Sequence, residues 1–443
     1  MSPSVGAGRT DGLILAHPDR NGTCERTAGR TWLDAGTGGT IARMTDRPVA
    51  RLRWGLRTDL LRRGEGEDSS RVGYVELFFD LVFVFAVTQL SHLLIAHPGP
   101  EALVHTLVLG LAVWWVWVDT MWVTNWLDPE RAPVRAMLVV LMLLGLVMAS
   151  AIPEAFGEKA LLFAVCLVTM QVGRSVFTGL AMARHWPENA VNFVRITTWL
   201  VVSGAVWVAG ALVEEHRLAL WVVAAAIDVA GPRAMYWVPG LGASDAHTWV
   251  VRGQHMAERV SLFVIISLGE SIIVTGSAFA ELPLDATTFS AFASAFASTV
   301  LMWLLFFDRS ERRATEFFTS RDETGMVAQT AYTYVPFVIV AGIVLTAVAD
   351  ELVLLHPLGH DGHADAWTAG LVCGAAATYL LGNALFRRAT GGRWSFPHLV
   401  GAAVLGVLFL AHGVLTPLAL NWTSDAVLLA VIIGDVVRAR RAP

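Results

Sequence analysis

Residues 74–95 read YVELFFDLVFVFAVTQLSHLLI. A membrane helix needs about 20 mostly apolar residues, so this run is long enough to cross a bilayer. Similar runs recur along the chain and lack the apolar/polar alternation of barrel strands. Only helices and closed barrels satisfy the backbone hydrogen bonds inside lipid, so the sequence predicts an all-α, polytopic integral membrane helix bundle. The predicted spans, about twelve in number, are roughly 74–95, 102–124, 134–152, 158–181, 192–213, 216–232, 256–280, 287–307, 325–349, 366–386, 396–417 and 422–438.

The composition of the whole chain agrees with a membrane protein. Of its 443 residues, 55% are hydrophobic and only 16% are charged, whereas a soluble domain carries about 25% charged residues. This excludes a soluble multidomain enzyme, a disordered protein and a nucleic-acid binder, and it makes the lipid bilayer the expected partner. The three cysteines are scattered and give no disulfide or metal spacing. No phosphate-binding glycine loop, zinc-protease motif or nucleophile elbow occurs, so we expect neither an enzyme nor a cofactor.

The arginines predict the orientation of the spans. Cytoplasmic loops of membrane proteins collect Lys and Arg. With twelve spans, 23 basic residues from Arg51 onward fall near the two ends of the bundle sequence and in or beside alternate connections, and the opposite loops hold only Lys159 and Arg217. We therefore expect a multi-pass protein of the cell (plasma) membrane whose N- and C-termini are both cytoplasmic.

The chain also divides along its length. Residues 1–70 contain no spanning run and are predicted to be a disordered cytoplasmic extension, within which Met44 is a candidate true start. Twelve spans suggest two parallel six-helix repeats, 71–252 and 253–443. In support, the first and the seventh span both carry acids near their predicted cytoplasmic start, Glu76 and Asp80 in one and Glu258 in the other.

Ionisable residues inside the spans are the candidate site, because a charge at bilayer depth costs about 2.5–3.5 kcal/mol on insertion scales. Glu76 and Asp80 are four residues apart and share one helix face. Two carboxyl groups so close suit the handling of protons or cations. The alternative is structural: Glu76 lies at the headgroup level, and Asp80 pairs with an arginine of another helix.

The seventh predicted span contributes Glu258, Arg259 and Glu270. Glu258 and Arg259 lie near its entrance, and Glu270 is twelve residues further along, about 18 Å at 1.5 Å per residue. Glu270 is therefore predicted to lie deep in the hydrocarbon and is the strongest single candidate for function. Its alternative role is a structural carboxyl group bonded to a neighbouring helix.

The second predicted span combines tryptophans with an acid. Trp122 and Trp126 are predicted to belong to an interfacial aromatic belt. Asp119 lies among the tryptophans and is a candidate pathway residue. Arg174 of the fourth span is a plausible counter-charge for either Asp80 or Asp119, and the sequence does not choose between them.

Histidines and aspartates cluster in the loop 351–365, on the predicted outer side. Their residue types suit a metal, but the loop lacks a rigid spacing. We therefore interpret them as ordinary surface residues and predict no metal site.

Several motifs resemble the bacterial low temperature requirement protein A family. They are VELFFDLVFVFAVTQLSH at 75–92, WWVW at 114–117, TNWLDP at 124–129 and ERVSLFVIISLGESI at 258–272. The resemblance runs from about residue 71 to the C-terminus. It implies a multi-pass membrane protein linked by name to growth in the cold, and it implies no particular substrate. One departure is Tyr334, where the resemblance leads us to expect a histidine.

These observations predict a transporter or permease for a small solute or ion, with proton coupling as an option. Asp80 and Glu270 would form its charge site between the two halves, supported by Glu76, Asp119, Glu258 and Arg259. A weaker similarity of 79–88 to the first helix of six-helix-repeat potassium channels suggests a cation channel instead. A membrane stress protein without transport activity is the third alternative. The sequence does not indicate the oligomeric state.

Overall fold

The fold is a bundle of twelve α-helices in the part of the chain that the computed structural model describes. That part comprises 59–62, 72–245, 248–249, 251–307, 329–359, 361–391 and 393–441. The helices are α1 Tyr74–Ala96, α2 Pro100–Trp126, α3 Ala132–Ala151, α4 Ala160–Met182, α5 Pro187–Leu212, α6 Arg217–Arg233, α7 Gly253–Glu281, α8 Ala286–Leu305, α9 Val335–Leu355, α10 Ala366–Gly391, α11 Phe396–Leu408 and α12 Pro417–Arg441. Each corresponds to one predicted span, which confirms an all-helical membrane bundle.

Ten of these helices are long and apolar enough to cross a membrane. The other two, α6 and α11, have 17 and 13 residues, and a three-residue 3-10 turn extends α11. The helix α6 nevertheless lies antiparallel along α5. Trp221 near the start of α6 donates to the Trp207 carbonyl of α5, and Trp237, just after α6, accepts from Trp199 nearer the start of α5.

The two halves of the chain use the same pattern of helix packing. In the first half α1 packs on α2 and α3, α3 on α4, α4 on α5, α5 on α6, and α6 on α2. In the second half α7 packs on α8 and α9, α9 on α10, α10 on α11, α11 on α12, and α12 on α8. The halves meet where α1 and α2 pack against α7 and α9.

In the second half, α9 and α10 pack closely together. A Cβ atom added to Gly342 of α9 would lie 2.7 Å from the Tyr379 backbone nitrogen of α10. Similarly, a Cβ atom on Gly382 would lie 2.9 Å from Ile339 of α9. Small residues at such positions let helix backbones approach closely.

Of the predicted N-terminal extension, only residues 59–62 are described. Leu60 is buried, and Leu61 forms an isolated bridge with Leu127 just after α2. The Arg62 amide donates to the Trp126 carbonyl at 2.8 Å. This short segment therefore packs on the end of α2, while Met44 and the rest of the extension lie outside the described residues.

Candidate functional site

A buried charge cluster connects the starts of α1 and α7. Glu76 is the third residue of α1, and the Gly73 amide donates to its Oε2 atom at 2.9 Å. A glutamate at this position completes the helix start in the manner of a capping box. His255 and Arg259 are four residues apart on α7, so they share one face, and both contact Glu76.

Three basic side chains surround Glu76. A guanidinium nitrogen of Arg62 lies 3.1 Å from Oε2, and the Nε2 atom of His255 lies 3.0 Å from Oε1. A guanidinium nitrogen of Arg259 lies 3.6 Å from Oε1. Glu76 is fully buried. Hydrogen bonds between charged groups are strong, so this carboxylate is well compensated.

Asp80 connects three helices. Its Oδ1 atom accepts hydrogen bonds from Arg259 of α7 and from Trp117 of α2, both at 2.7 Å. Its Oδ2 atom is buried and has no hydrogen-bond partner among the described residues. The Arg259 guanidinium also lies 5.8 Å from the centre of the Trp117 ring, within the range of a cation–π contact. We call Asp80, Arg259 and Trp117 the latch.

Arg174 pairs with Asp119, which resolves the choice that the sequence leaves open. Its guanidinium lies 2.9 Å from Asp119 Oδ2 and also donates to the Val116 carbonyl and the Thr120 hydroxyl. Arg174 is almost fully buried, whereas 16% of the Asp119 side chain is exposed. Asp119 therefore keeps part of its surface open to its surroundings.

Glu270 lies at a different level from Asp80. It is buried on α7, eleven residues beyond Arg259, which corresponds to roughly 16 Å along the helix. Its neighbours are Thr88 and His92 of α1, and its Oε1 atom has no hydrogen-bond partner in the described part of the chain. Glu258 is half-buried beside Arg259 in the sequence. The predicted residues thus form two separate levels instead of one site.

Two cavities lie along α2. The first, the apolar cavity, has about 50 Å³ of space for water-sized molecules and is lined mainly by α1, α2, α7 and α9. The second, the polar cavity, has about 40 Å³ and is lined by Asp119 and Arg174, by the aromatic residues Trp122, Trp126, Phe193, Tyr236 and Trp249, and by Val123, Ser175, Ile196, Pro232, Gln329 and Thr333. Each is large enough for a few water molecules.

An aromatic cluster lines the apolar cavity and contacts the lining of the polar cavity, because Trp114 donates to the carbonyl of Thr333. Trp114, Trp117, Phe263 and Phe337 make ring contacts with centroid distances of 4.3–6.0 Å. All four line the apolar cavity, and Trp117 belongs to the latch. We call these four residues the aromatic barrier. The buried ion pair Asp80–Arg259 therefore holds one member of this barrier.

A π-helical turn, Thr330–Tyr334, precedes α9 beside the barrier. The Thr333 carbonyl accepts from Trp114 at 2.7 Å, and its hydroxyl accepts from Trp122 at 2.9 Å. Such turns are rare and occur frequently at functional sites. Tyr334, which replaces the histidine expected from the resemblance, donates to the Val229 carbonyl at 2.9 Å.

The prediction that Trp122 and Trp126 form an interfacial belt is wrong. Both are buried and line the polar cavity, because the loop after α6 covers them through Trp249. Tyr236 of the same loop also lines this cavity, and burial raises the pKa of its hydroxyl well above the usual value. This hydroxyl therefore stays protonated.

Sequence reasoning missed two acids in the second half, Asp350 and Asp425. Both are buried and belong to a hydrogen-bonded group with Ser294, Ser298 and Asn421. The available signal was the Ser-xxx-Ser spacing in α8, which places two hydroxyl groups on one helix face. Within the described ranges, no group of three or more His, Cys, Asp and Glu side chains is arranged to hold a metal.

Comparisons with known proteins identify relatives for most of the chain. The family model described as "Bacterial low temperature requirement A protein (LtrA)" matches residues 71–433. A curated relative, "Uncharacterized protein RA0937" of Rhizobium meliloti (strain 1021), is 38% identical over 379 residues, which cover 85% of this chain and 91% of the relative. No solved structure matches.

Proposed function

The chain belongs to the bacterial low temperature requirement A (LtrA) family, and from this premise we propose that it is a transporter or permease for a small solute or ion. Membership of this family, together with the many apolar helices, identifies the chain as a multi-pass membrane protein. The observation that carries the proposal is the pair of cavities along α2, with the aromatic barrier lining one of them and contacting the lining of the other through Trp114 and Thr333. A route of this kind, closed in the middle, is what alternating access requires.

The latch gives the barrier a means of opening. Trp117 is held by Asp80, and Asp80 is held by Arg259 of the other half. If the halves move relative to each other, or if Asp80 becomes neutral, the Trp117 hydrogen bond weakens and the barrier loosens. Proton coupling is therefore part of the proposal, with Asp80 as the switch. Glu76 anchors Arg259, Asp119 faces the polar cavity, and Glu270 is the acid at the other level of the α1–α7 contact.

The proposed topology has twelve spans, cytoplasmic termini and a location in the plasma membrane. The antiparallel course of α6 along α5 supports the count, and the arginine distribution supports the orientation. The matching helix packing of the halves supports two parallel six-helix repeats, 71–252 and 253–443. The site would then lie at the junction between the repeats.

The test is flux into liposomes that contain the purified protein. Trapped dyes report protons, sodium and potassium, and osmotic swelling reports neutral solutes such as glycerol and urea. We expect flux that depends on the protein, and its proton-coupled part should fall in Asp80→Asn because this side chain can no longer change between charged and neutral forms; Asp361→Asn in an exposed loop is the matched control. Protein-dependent flux that is unchanged in both Asp80→Asn and Glu270→Gln would refute the role of these residues, and the absence of any protein-dependent flux, with the fold intact, would leave only a membrane stress protein without transport.

The alternative function is a cation channel, because an apolar constriction can gate by dewetting. The aromatic barrier is the observation that favours it. Voltage-dependent currents far above transporter turnover would establish the channel, whereas coupled flux against a gradient would establish the transporter.

A further inference from the structure

A hydrogen-bonded group of polar side chains connects α8, α9 and α12, away from the latch. Asp425 of α12 accepts from Ser298 at 2.7 Å and from Ser294 at 2.8 Å. The Asn421 amide donates at 3.0 Å both to Ser294 and to Asp350 Oδ1 of α9. The two carboxyl groups are thus joined through Asn421 and Ser294.

A second observation is independent of this network. Asp350 is 1% exposed, and its Oδ2 atom has no hydrogen-bond partner in the described part of the chain. A buried charged oxygen without a partner is costly, and the group usually neutralises instead. This oxygen is the place where a proton can reside.

Among the described residues, neither Asp350 nor Asp425 takes part in an ion pair, and few ionisable groups face them. The described spans of α8 and of α10 before Arg387 contain no Asp, Glu, Lys, Arg or His. Glu351, the next residue of α9, is within electrostatic range of His92 of α1, as is Glu270 of α7. The ionisable groups of the remaining neighbours lie in other contacts: Asp119 with Arg174, His105 with Phe156, His398 with Ser395, and Asp435 with Arg387.

We propose that Asp350 and Asp425 form a proton-binding site that holds one proton. Two carboxylates in a low-dielectric interior repel each other unless one of them is neutral. The serine hydroxyls donate to Asp425 and stabilise its negative charge, so the proton resides on Asp350 Oδ2. Uptake transfers one proton from water to this oxygen, and release restores the second carboxylate.

The geometry favours a proton over a sodium ion. The oxygens and the amide nitrogen contact one another directly at 2.7–3.0 Å, and they do not surround an open space. A metal cation needs several oxygens around such a space, whereas a proton needs none. The site does not depend on the proposed transport and can be tested without it.

Infrared difference spectroscopy of the purified full-length protein in lipid tests the site. At neutral pH the protein should show the C=O stretch of a protonated carboxyl group, Asp350→Asn should lose this band, and Asp361→Asn in the exposed loop should keep it. If Asp350→Asn does not fold, Asp425→Asn serves as the second variant and should keep the band at a shifted frequency.

Three outcomes would overturn the proposal. The first is a spectrum of folded Asp350→Asn that equals that of the unmodified protein, and the second is a complete loss of the band in folded Asp425→Asn. The third is a stabilisation by sodium chloride over choline chloride that disappears in Asp350→Asn, which would identify a sodium site.

Discussion

Replacing Arg259 with methionine should destabilise the protein far more than the same replacement at Arg135. The two arginines form ion pairs of nearly equal length, 2.7 Å from Arg259 to Asp80 and 2.6 Å from Arg135 to Glu130. They differ in burial: 1% of the Arg259 side chain and none of Asp80 are exposed, against 50% and 64% for the other pair. Burial, together with the further contacts of Arg259 with Glu76 and Trp117, should therefore separate the two effects.

The magnitudes follow from the dielectric surroundings. At an effective dielectric constant of ~20, charges 2.7 Å apart attract by roughly 6 kcal/mol. Removing one partner of a buried pair costs about 3–5 kcal/mol, because the other charge stays buried without compensation. An exposed pair contributes only about 0–1 kcal/mol. We therefore expect Arg259→Met to lose several kcal/mol and Arg135→Met to lose less than ~1 kcal/mol.

The assay is reversible unfolding in mixed micelles, supported by thermal unfolding in detergent. The double variant Asp80→Asn, Arg259→Met should recover much of the loss, because it removes both charges. Equal losses in the two single variants, or a double variant less stable than Arg259→Met alone, would refute the reasoning.

Three further predictions address packing, a helix cap and the latch. Gly342→Ala should destabilise the protein by ~1–3 kcal/mol because its Cβ atom meets the α10 backbone, whereas Gly374→Ala, with nothing within 4 Å, should be nearly neutral in the same unfolding assay. Partial burial raises the pKa of Asp365 before α10, but hydrogen bonds from Thr368 and Trp367 outweigh it and hold the pKa below its usual value. Asp365→Ala should therefore cost about 0.5–2 kcal/mol at neutral pH, and this difference should shrink as the pH falls through the lowered pKa, as unfolding at a series of pH values will show. Trp117→Phe, which removes the hydrogen bond to Asp80 together with part of the ring volume, should raise proton leak into liposomes, and an unchanged leak would count against the latch.

The helices could be predicted from sequence because each apolar run must satisfy its own backbone hydrogen bonds in lipid. The pairing of charged side chains could not be predicted from sequence, because it depends on how helices that are distant in sequence meet. Arg259 is 179 residues from Asp80, and only the contact between α1 and α7 brings them together. In the same way, Arg174 had two plausible partners until α2 and α4 were placed side by side.

Asp350 and Asp425 were missed for a local reason. The predicted ninth span stops at residue 349, which leaves Asp350 in the following loop, whereas α9 continues to Leu355. Asp425 lies early in the last span, where a single acid resembles a residue near the interface. Its burial depends on the two serines of α8, and the sequence of α12 alone carries no trace of them.

Side-specific cysteine labelling tests the closed route most directly. Thr106→Cys reports the apolar cavity and Ser175→Cys the polar cavity, with Cys166, Cys373 and Cys24 replaced. With a membrane-impermeant thiol reagent, the account predicts that Thr106→Cys reacts only from outside and Ser175→Cys only from inside, and that adding Trp117→Phe lets each react from both sides. If both cysteines react from the same side, or if the Trp117 variant changes neither pattern, the two cavities do not belong to one gated route.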